Sequence, residues 1–314
     1  MLLAVATALC FCSCSVRPPE PLRIGINIWP GYEFLYLAKE LEFYAQEGVT
    51  VQLVEFNSLS DARRSFERGQ IDGFATTCVE VMQARDNSNR SPQIVQVVDY
   101  SDGGDVIVAR SPIESVSDLK GKKVGVELAS LGIYIIAVAM ERSDIEIEDI
   151  FMVPSDQLSM ASEFAKGSID AVVTYPPVSL SVLHEPGAKV VFSTSEVPGE
   201  VIDVIAIDAP VIKQRPQDVR NFLRAFNRAQ KYAELFSGEA FAIMAEREKI
   251  SPEEFGRLLD EELHIIPEED QKLYLEPGGL LEEVIKKTDK VLRQTGQIVG
   301  PDRRRGAYTD EMIK

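Results

Sequence analysis

Two stretches of this chain repeat each other about a hundred residues apart: SFERGQIDGFAT at residues 65–76 and EFAKGSIDAVVT at residues 163–174. A second echo precedes each copy, RIGIN at residues 23–27 and KVGVE at residues 123–127. Solenoid repeats recur every ~20–50 residues, so this longer period favours two similar units. The repeat therefore predicts an α/β fold of two lobes, each a mixed sheet flanked by helices, with a ligand cleft between them.

Each copy of the repeat predicts the same local structure. A helix that carries Phe66 or Phe164 ends at a glycine, which adopts the left-handed conformation at little cost. A short apolar strand follows and ends at Thr76 or Thr174. Ligands of open α/β sheets bind beyond the carboxyl ends of strands, so we expect these threonines to face the cleft. An ordinary loop role for them stays open.

The composition narrows the function classes. The chain has 314 residues, enough for two compact domains, and 50 acidic against 33 basic residues give a net charge of −17. Nucleic-acid binding, which needs basic stripes, is therefore not expected. With two histidines, four cysteines and neither HExxH nor CxxC, the sequence predicts no metal site, no cofactor and no catalytic residues. We expect a binding protein and not an enzyme.

The amino terminus is typical of an exported protein. Residues 1–13, MLLAVATALCFCS, are uncharged and largely apolar, as in a signal peptide, and Cys14 follows directly. We interpret Cys14 as a lipidated residue and residues 14–21 as a tether. A plain cleaved signal, or stray cysteines in an apolar run, are the alternatives.

The remaining pattern predicts lobe boundaries. Residues 22–105 form the first part of lobe 1, residues 106–203 form lobe 2, and residues 204–314 return to lobe 1 and end in helices. Ser60 and Ser130 are predicted to cap helices. An apolar stripe along VRNFLRAFNRAQKYAELF (219–236) predicts a helix packed on lobe 1. The strand at 201–208 is the predicted return crossing.

The order of these motifs resembles one protein family. WPGYEFLYLAKELEFYAQEGVTVQLVEF (29–56) is followed by GQIDGFATT (69–77), DYSDGGDVIVAR (99–110) and GSIDAVVTYPP (167–177). This order resembles the substrate-binding proteins of ABC importers of the nitrate, sulfonate and taurine class, which includes binders of thiamine-pyrimidine precursors. The resemblance implies a two-lobed periplasmic binding protein, monomeric and anchored outside the cytoplasm by its lipid. Its partners would be a small-molecule ligand and the permease and ATPase subunits.

The resemblance also implies which residues line the cleft. On lobe 1 and the crossings they are Trp29, Gly31, Tyr32, Asn57, Ser58, Thr76, Thr77, Tyr100, Ser101, Asp102 and Asp203. On lobe 2 they are Glu127, Ser130, Gly132, Tyr134, Thr174 and Tyr175.

The predicted cleft segments are acidic and contain no arginine. Their carboxylates are Glu33, Asp99, Asp102, Asp105, Glu127 and Asp203. Burial of an anion beside carboxylates is unfavourable, so we hypothesise a neutral ligand, an amine or an N-heterocycle in place of a sulfonate-like anion. The alternative is that some of these acids hold the hinge between the lobes or pair with Arg110 or Lys123.

Two other functions remain open at this point. Pyrimidine synthases of thiamine biosynthesis share the fold that the resemblance implies, but their CCCFC motif is absent from this sequence. A sensory module that reports ligand occupancy to a membrane receptor is the other alternative.

Overall fold

The computed structural model describes residues 20–314. The predicted signal peptide, Cys14 and all but the end of the predicted tether lie outside these residues. Within residues 20–314 no helix is long and apolar enough to cross a bilayer.

Strands and helices alternate through the first two thirds of the described chain, and helices dominate the last third. The elements are β1 (Leu22–Ile26), α1 (Glu33–Glu40), α2 (Phe43–Gln46), β2 (Val51–Glu55), α3 (Leu59–Glu67), β3 (Gly73–Thr77), α4 (Cys78–Asn87), β4 (Pro92–Ser101), β5 (Val106–Arg110), β6 (Lys123–Val126), α5 (Leu131–Arg142), β7 (Phe151–Pro154), α6 (Gln157–Ala165), β8 (Ala171–Thr174), α7 (Val178–Leu183), β9 (Ala188–Ser193), β10 (Ile202–Asp208), α8 (Ala209–Gln214), α9 (Pro216–Leu235), α10 (Ser237–Glu248), α11 (Pro252–Glu261), β11 (Leu263–Ile265), α12 (Gln271–Leu275) and α13 (Leu280–Gln294). Short 3-10 turns lie at Pro30–Tyr32, Val116–Leu119, Ile147–Asp149, Thr194–Glu196 and Glu268–Asp270.

The strands form two mixed sheets, which confirms the predicted two-lobed α/β fold. Lobe 1 contains the sheet β2-β1-β3-β10-β4-β11, and lobe 2 contains the sheet β7-β6-β8-β5-β9. In both sheets three parallel strands are followed by one antiparallel strand that has crossed from the other lobe, β10 or β5. The chain leaves the first sheet between Ser101 and Val106 and returns to it between Ser193 and Ile202. The two lobes therefore share one strand order.

The repeated residues have the same structural role in both lobes. A Cβ on Gly25 would lie 2.6 Å from Ile71 Cδ1, and a Cβ on the equivalent Gly125 would lie 2.7 Å from Ile169 Cδ1. The glycines of the two echoes therefore let the repeat isoleucines pack directly on the neighbouring strand. Gly69 and Gly167 have φ values of +74° and +72°, as the helix-ending role predicts.

The aspartates of the repeat join neighbouring strands. Asp72 accepts the backbone N–H of Arg23 at 2.9 Å, and Asp170 accepts that of Lys123 at 2.9 Å. An arginine also lies over each repeat phenylalanine, Arg90 over Phe66 and Arg110 over Phe164. The repeat is thus a structural motif that occurs once in each lobe, and most of its identical positions serve packing.

Three local predictions need correction or refinement. Helix α3 begins two residues earlier than expected, because its cap is Ser58 and not Ser60. The hydroxyl of Ser58 accepts the N–H of Asp61 at 3.2 Å. The C-terminal third is not purely helical, because β11 pairs with β4 at the sheet edge. Ser130 occupies the cap position of α5, but its side chain makes no cap bond to that helix. The apolar face of α9 packs on lobe 1 through Phe222 and Phe226, as predicted.

Candidate functional site

Two adjoining cavities lie where the strand ends of the two lobes meet. The first is lined by Asn27, Trp29, Tyr32, Leu59, Thr77, Asp105, Leu131, Tyr175 and Asp203. The second is lined by Leu59, Asp105, Glu127, Ser130, Leu131, Gly132, Ile135, Gln157, Val173, Thr174 and Tyr175. Each has a volume of about 10 Å³, which is room for one water molecule. A larger occupant therefore requires side chains to move or the lobes to separate.

Nine of the residues predicted for the site line these cavities: Trp29, Tyr32, Thr77, Glu127, Ser130, Gly132, Thr174, Tyr175 and Asp203. They come from both lobes and from the return crossing. Thr174 Oγ1 donates to Gln157 Oε1 at 2.8 Å, a side chain that the sequence did not point to. On lobe 1 the cavity residue is Thr77, one position after the repeat threonine Thr76, whose buried hydroxyl has no partner in the described chain.

The other predicted site residues lie outside the cavity walls. Asn57 is exposed, and Ser58 caps α3. Tyr100 stacks on His264 with ring centroids 4.7 Å apart, and Asp102 is half-buried. Gly31 lies against Asp99, Ser101 lies at the crossings, and Tyr134 is buried on α5.

Hydroxyl groups tie the two interlobe crossings together. Ser101 Oγ and Thr194 Oγ1 are 2.7 Å apart, and Thr194 Oγ1 also accepts the N–H of Gly103 at 2.9 Å. Gly103 has a φ of +125°, a conformation that favours glycine. The next glycine, Gly104, leaves space for Trp29, because a Cβ there would lie 2.9 Å from that ring. The crossings adjoin the cavities, because Asp105 at the end of the first crossing lines both of them.

Aromatic side chains form one wall of the first cavity. The rings of Trp29 and Tyr175 meet edge to face across the cleft with centroids 5.8 Å apart. Trp29 Nε1–H donates to Asp99 Oδ2 at 3.2 Å, and the hydroxyl of Tyr32 donates to Asp203. Trp29, Tyr32 and Tyr175 are each less than 10% exposed, so their rings are packed against neighbouring residues.

Five buried carboxylates surround the cavities: Glu80, Asp99, Asp105, Glu127 and Asp203. None of them takes part in an ion pair within residues 20–314, and no lysine, arginine or histidine lines either cavity. Asp99 and Asp203 face each other on neighbouring strands. Burial raises the pKa of both carboxyls, and the proximity of the two like charges raises the pKa of Asp203 further.

The proposed pairing of the cleft acids with basic residues does not occur. Arg110 packs on Phe164 and donates to its carbonyl oxygen, and the backbone N–H of Lys123 donates to Asp170. Glu33 is the exception among the predicted acids, because it forms an ion pair with Arg247 at 2.9 Å, away from the cavities.

Two of these carboxylates cross the cleft and cap a helix of the opposite lobe. Glu80, on α4 of lobe 1, accepts the N–H of Leu131 at 2.9 Å and the hydroxyl of Ser130 at 2.8 Å. Glu127, which follows β6 in lobe 2, accepts the N–H of Ser60 at 3.2 Å. Helix amino termini favour negative charge, so these positions would otherwise suit an anionic ligand. The protein's own side chains fill them in this structure.

Sequence reasoning overlooked Glu80 because its local context has another explanation. Thr77-Cys78-Val79-Glu80 has the pattern of a capping box, in which the glutamate binds back to its own helix. Thr77 does cap α4 by accepting the N–H of Val79 at 3.1 Å. The glutamate instead accepts the Thr77 hydroxyl at 2.5 Å with one oxygen and reaches lobe 2 with the other.

The profile of the family described as NMT1/THI5 like matches residues 29–234 of this chain. The chain belongs to the NMT1/THI5-like family. Among curated proteins it is 22% identical over 236 residues to "Putative binding protein BAB2_1146" of Brucella abortus (strain 2308), covering 73% of this chain and 72% of that protein. This member of the family thus has relatives that are named as binding proteins.

Solved structures with the same fold include binding proteins and an enzyme. The alkanesulfonate-binding protein SsuA of Xanthomonas axonopodis pv. citri, bound to MOPS, has a TM-score of 0.78 at 16% identity, covering 93% of this chain and 99% of that one. The nitrate-binding protein NrtA of Synechocystis PCC 6803 has a TM-score of 0.70 at 14% identity, covering 95% and 88%. The desulfurization enzyme DSZB has a TM-score of 0.66 at 14% identity, covering 93% and 97%. At these identities the likeness concerns the fold.

Proposed function

We propose that this protein is the extracytoplasmic solute-binding component of an ABC importer, which captures a small organic molecule between its lobes and delivers it to a permease. The observation that carries the proposal is the pair of cavities at the interlobe boundary, where polar and aromatic side chains of both lobes converge. A solute bound there contacts both lobes at once, so it stabilises their contact. Membership of the NMT1/THI5-like family and the binding proteins among its structural relatives support this function.

In this proposal Cys14 carries a lipid that keeps the binding protein close to its permease. The Pro-rich residues 17–21 then act as the tether between the membrane and the first strand. Metabolic labelling with a tagged fatty acid tests this point. Labelling of the wild-type protein that disappears in Cys14→Ser supports the anchor, and equal labelling of both proteins contradicts it.

The cavity walls favour binding over nucleophilic catalysis. Neither cavity is lined by a cysteine or a histidine. Cys78 is buried at the start of α4, and burial raises the pKa of its thiol, which disfavours the thiolate that acts as a nucleophile. His184 and His264 are both exposed. A thiol-based reaction like that of a cysteine enzyme has no support in this arrangement.

A thermal-shift screen of the purified protein tests the proposed function. The panel contains alkanesulfonates, nitrate, primary amines and pyrimidines, each at millimolar concentration. A solute at a hundredfold its dissociation constant adds about 2.7 kcal/mol to the stability of the folded state, which raises the melting temperature measurably.

The cleft variant Tyr175→Ala and the surface variant Leu235→Ala locate the binding. Tyr175 forms the contact with Trp29 across the cleft, whereas Leu235 is 66% exposed. We expect Tyr175→Ala to weaken the response to the solute and Leu235→Ala to leave it unchanged. A protein that responds to no solute of any charge, or whose response is equal in both variants, contradicts the proposed function.

A further inference from the structure

Two buried oxygen atoms in the wall of the first cavity lack a hydrogen-bond donor. Asp105 Oδ2 and Asn27 Oδ1 have no partner among the described residues, although each residue is only 3% exposed. The amide of Asn27 donates to the carbonyl oxygen of Ile28 at 3.1 Å, so its nitrogen is used while its oxygen is free. Buried acceptors are normally satisfied in folded proteins, and these two line the same cavity.

The backbone on either side of the cavity holds these two oxygens in position. The N–H of Asp105 donates to Ser101 Oγ at 3.0 Å, and its carbonyl oxygen accepts the N–H of Thr194 at 3.0 Å. Asn27 directly follows β1, and its counterpart in the echo of the repeat is Glu127. Asp105 lines both cavities, which places its carboxylate at the centre of the cleft.

The surroundings select the charge of the occupant. Four other buried carboxyl groups surround the two cavities, and no basic side chain lines them. Burial raises the pKa of Asp99 and Asp203, and a bound cation lowers the pKa of such acids and pairs with their ionised form, which neither a neutral molecule nor an anion does. The rings of Trp29 and Tyr175 also line the first cavity, and the faces of aromatic rings attract cations. The helix amino terminus most suited to an anion, that of α5, is already capped by Glu80.

We propose that this cleft recognises a compact organic cation with at least one N–H group, such as a primary ammonium, an amidinium or a protonated N-heterocycle, and that Asp105 Oδ2 and Asn27 Oδ1 accept its N–H groups. This inference rests on the proposed function, since it names the solute class of the same cleft. The two acceptors demand hydrogen-bond donors, which sulfonate and nitrate lack, and a quaternary ammonium lacks them too.

Calorimetric titration with three solutes of equal carbon number tests the proposal. Propylammonium, propanol and propanesulfonate differ only in the head group, and acetamidinium and imidazole extend the set of N–H cations. We expect saturable binding of at least one N–H cation and no binding of propanol or propanesulfonate.

Two variants assign the contacts, and a third serves as control. Asp105→Asn keeps the shape of the side chain but removes its charge, so we expect the affinity for the cation to fall about 10- to 100-fold. Asn27→Ala should weaken binding less, because it removes one neutral acceptor. Asp260→Asn makes the same chemical change on the exposed face of α11 and should bind like the wild type. Unfolding curves of each variant separate lost binding from lost folding.

The outcomes separate this inference from the proposed function. Binding of propanesulfonate or nitrate in place of the cations overturns the inference and leaves the solute-binding function intact. Cation binding that Asp105→Asn does not weaken, in a variant that is folded, also overturns it. Failure of every solute, charged or neutral, to bind contradicts the proposed function itself.

Discussion

Replacement of Glu80 by alanine is expected to weaken the contact between the lobes and to create an anion site. Glu80 is fully buried and accepts hydrogen bonds from the Thr77 hydroxyl, the Ser130 hydroxyl and the N–H of Leu131. Its removal leaves these three donors buried without a partner. A hydrogen bond to a charged group contributes about 1.5–3 kcal/mol.

The net loss is smaller than the sum of the three bonds. The charge of Glu80 raises the pKa of Asp105 and Asp203, so its removal relieves repulsion within the acidic cluster. Each buried donor left without a partner costs about 1–3 kcal/mol, so with this relief we expect Glu80→Ala to lower the free energy of unfolding by about 3–5 kcal/mol. Glu80→Gln retains the shape and one acceptor, and should cost about 1–2 kcal/mol.

Urea denaturation of the wild type and both variants, with and without sulfate, measures these effects. In Glu80→Ala the free N–H of Leu131 at the start of a twelve-residue helix should attract sulfate and restore part of the lost stability. Sulfate should not affect the wild type in this way. Glu283→Ala, an exposed change on α13, serves as control and should stay within about 0.5 kcal/mol of the wild type. A Glu80→Ala protein as stable as the wild type, with no response to sulfate, would show that Glu80 neither stabilises the contact between the lobes nor occupies an anion site.

Three further predictions concern Asp105, Gly31 and Trp29. Burial raises the pKa of Asp105 to about 7, so the stability that its protonated form contributes is full below pH 4 and is lost as the pH rises to 7. Thermal melts between pH 4 and 8 should show this decline in the wild type, and Asp105→Asn should reduce it by up to roughly 4 kcal/mol. An equal decline in both proteins contradicts the effect of burial on Asp105. A Cβ on Gly31 would lie 1.9 Å from the Asp99 carboxylate, so Gly31→Ala should lower the stability by about 1–3 kcal/mol. A Cβ on Gly238 meets no atom within 4 Å, so Gly238→Ala should be neutral or slightly stabilising. Equal stabilities of the two variants in urea denaturation would contradict the close packing of Gly31 on Asp99. Trp29 is the only tryptophan of the chain and lines the cavity, so its fluorescence should change along the calorimetric binding curve, and constant emission at saturation places the solute elsewhere.

The fold was largely predictable because the repeat residues serve packing. Gly25 and Ile71 recur as Gly125 and Ile169 since both lobes need the same close approach of strand and isoleucine. Strand β11 was not predictable, because its three residues directly follow a helix and are too few for their alternation to distinguish a strand from a loop. Among residues 20–314 its only strand partner is β4, so the strand depends on a tertiary contact.

The cavity residues were predictable where they follow a repeated strand and unpredictable where they depend on the contact between lobes. Tyr175 directly follows β8, and Trp29 lies in the loop just after β1, near the strand ends where ligands of such sheets bind. Glu80 and Gln157 lie on helices, and their local sequence shows only ordinary helix starts. The echo of the repeat aligns Asn27 with Glu127, a signal that could have identified Asn27.

A crystal structure of the protein with the amine that binds most tightly is the most direct test of cation recognition in the cleft. We expect the amine between the lobes, with its nitrogen within ~3.2 Å of Asp105 Oδ2 and Asn27 Oδ1. A larger cavity of about 760 Å³ lies elsewhere, between α13 and the C-terminal segment around Arg304 and Tyr308. An amine bound in that groove would contradict the recognition of a cation by Asp105 and Asn27. An anion bound in the cleft at the amino terminus of α5, in place of Glu80, would contradict it as well.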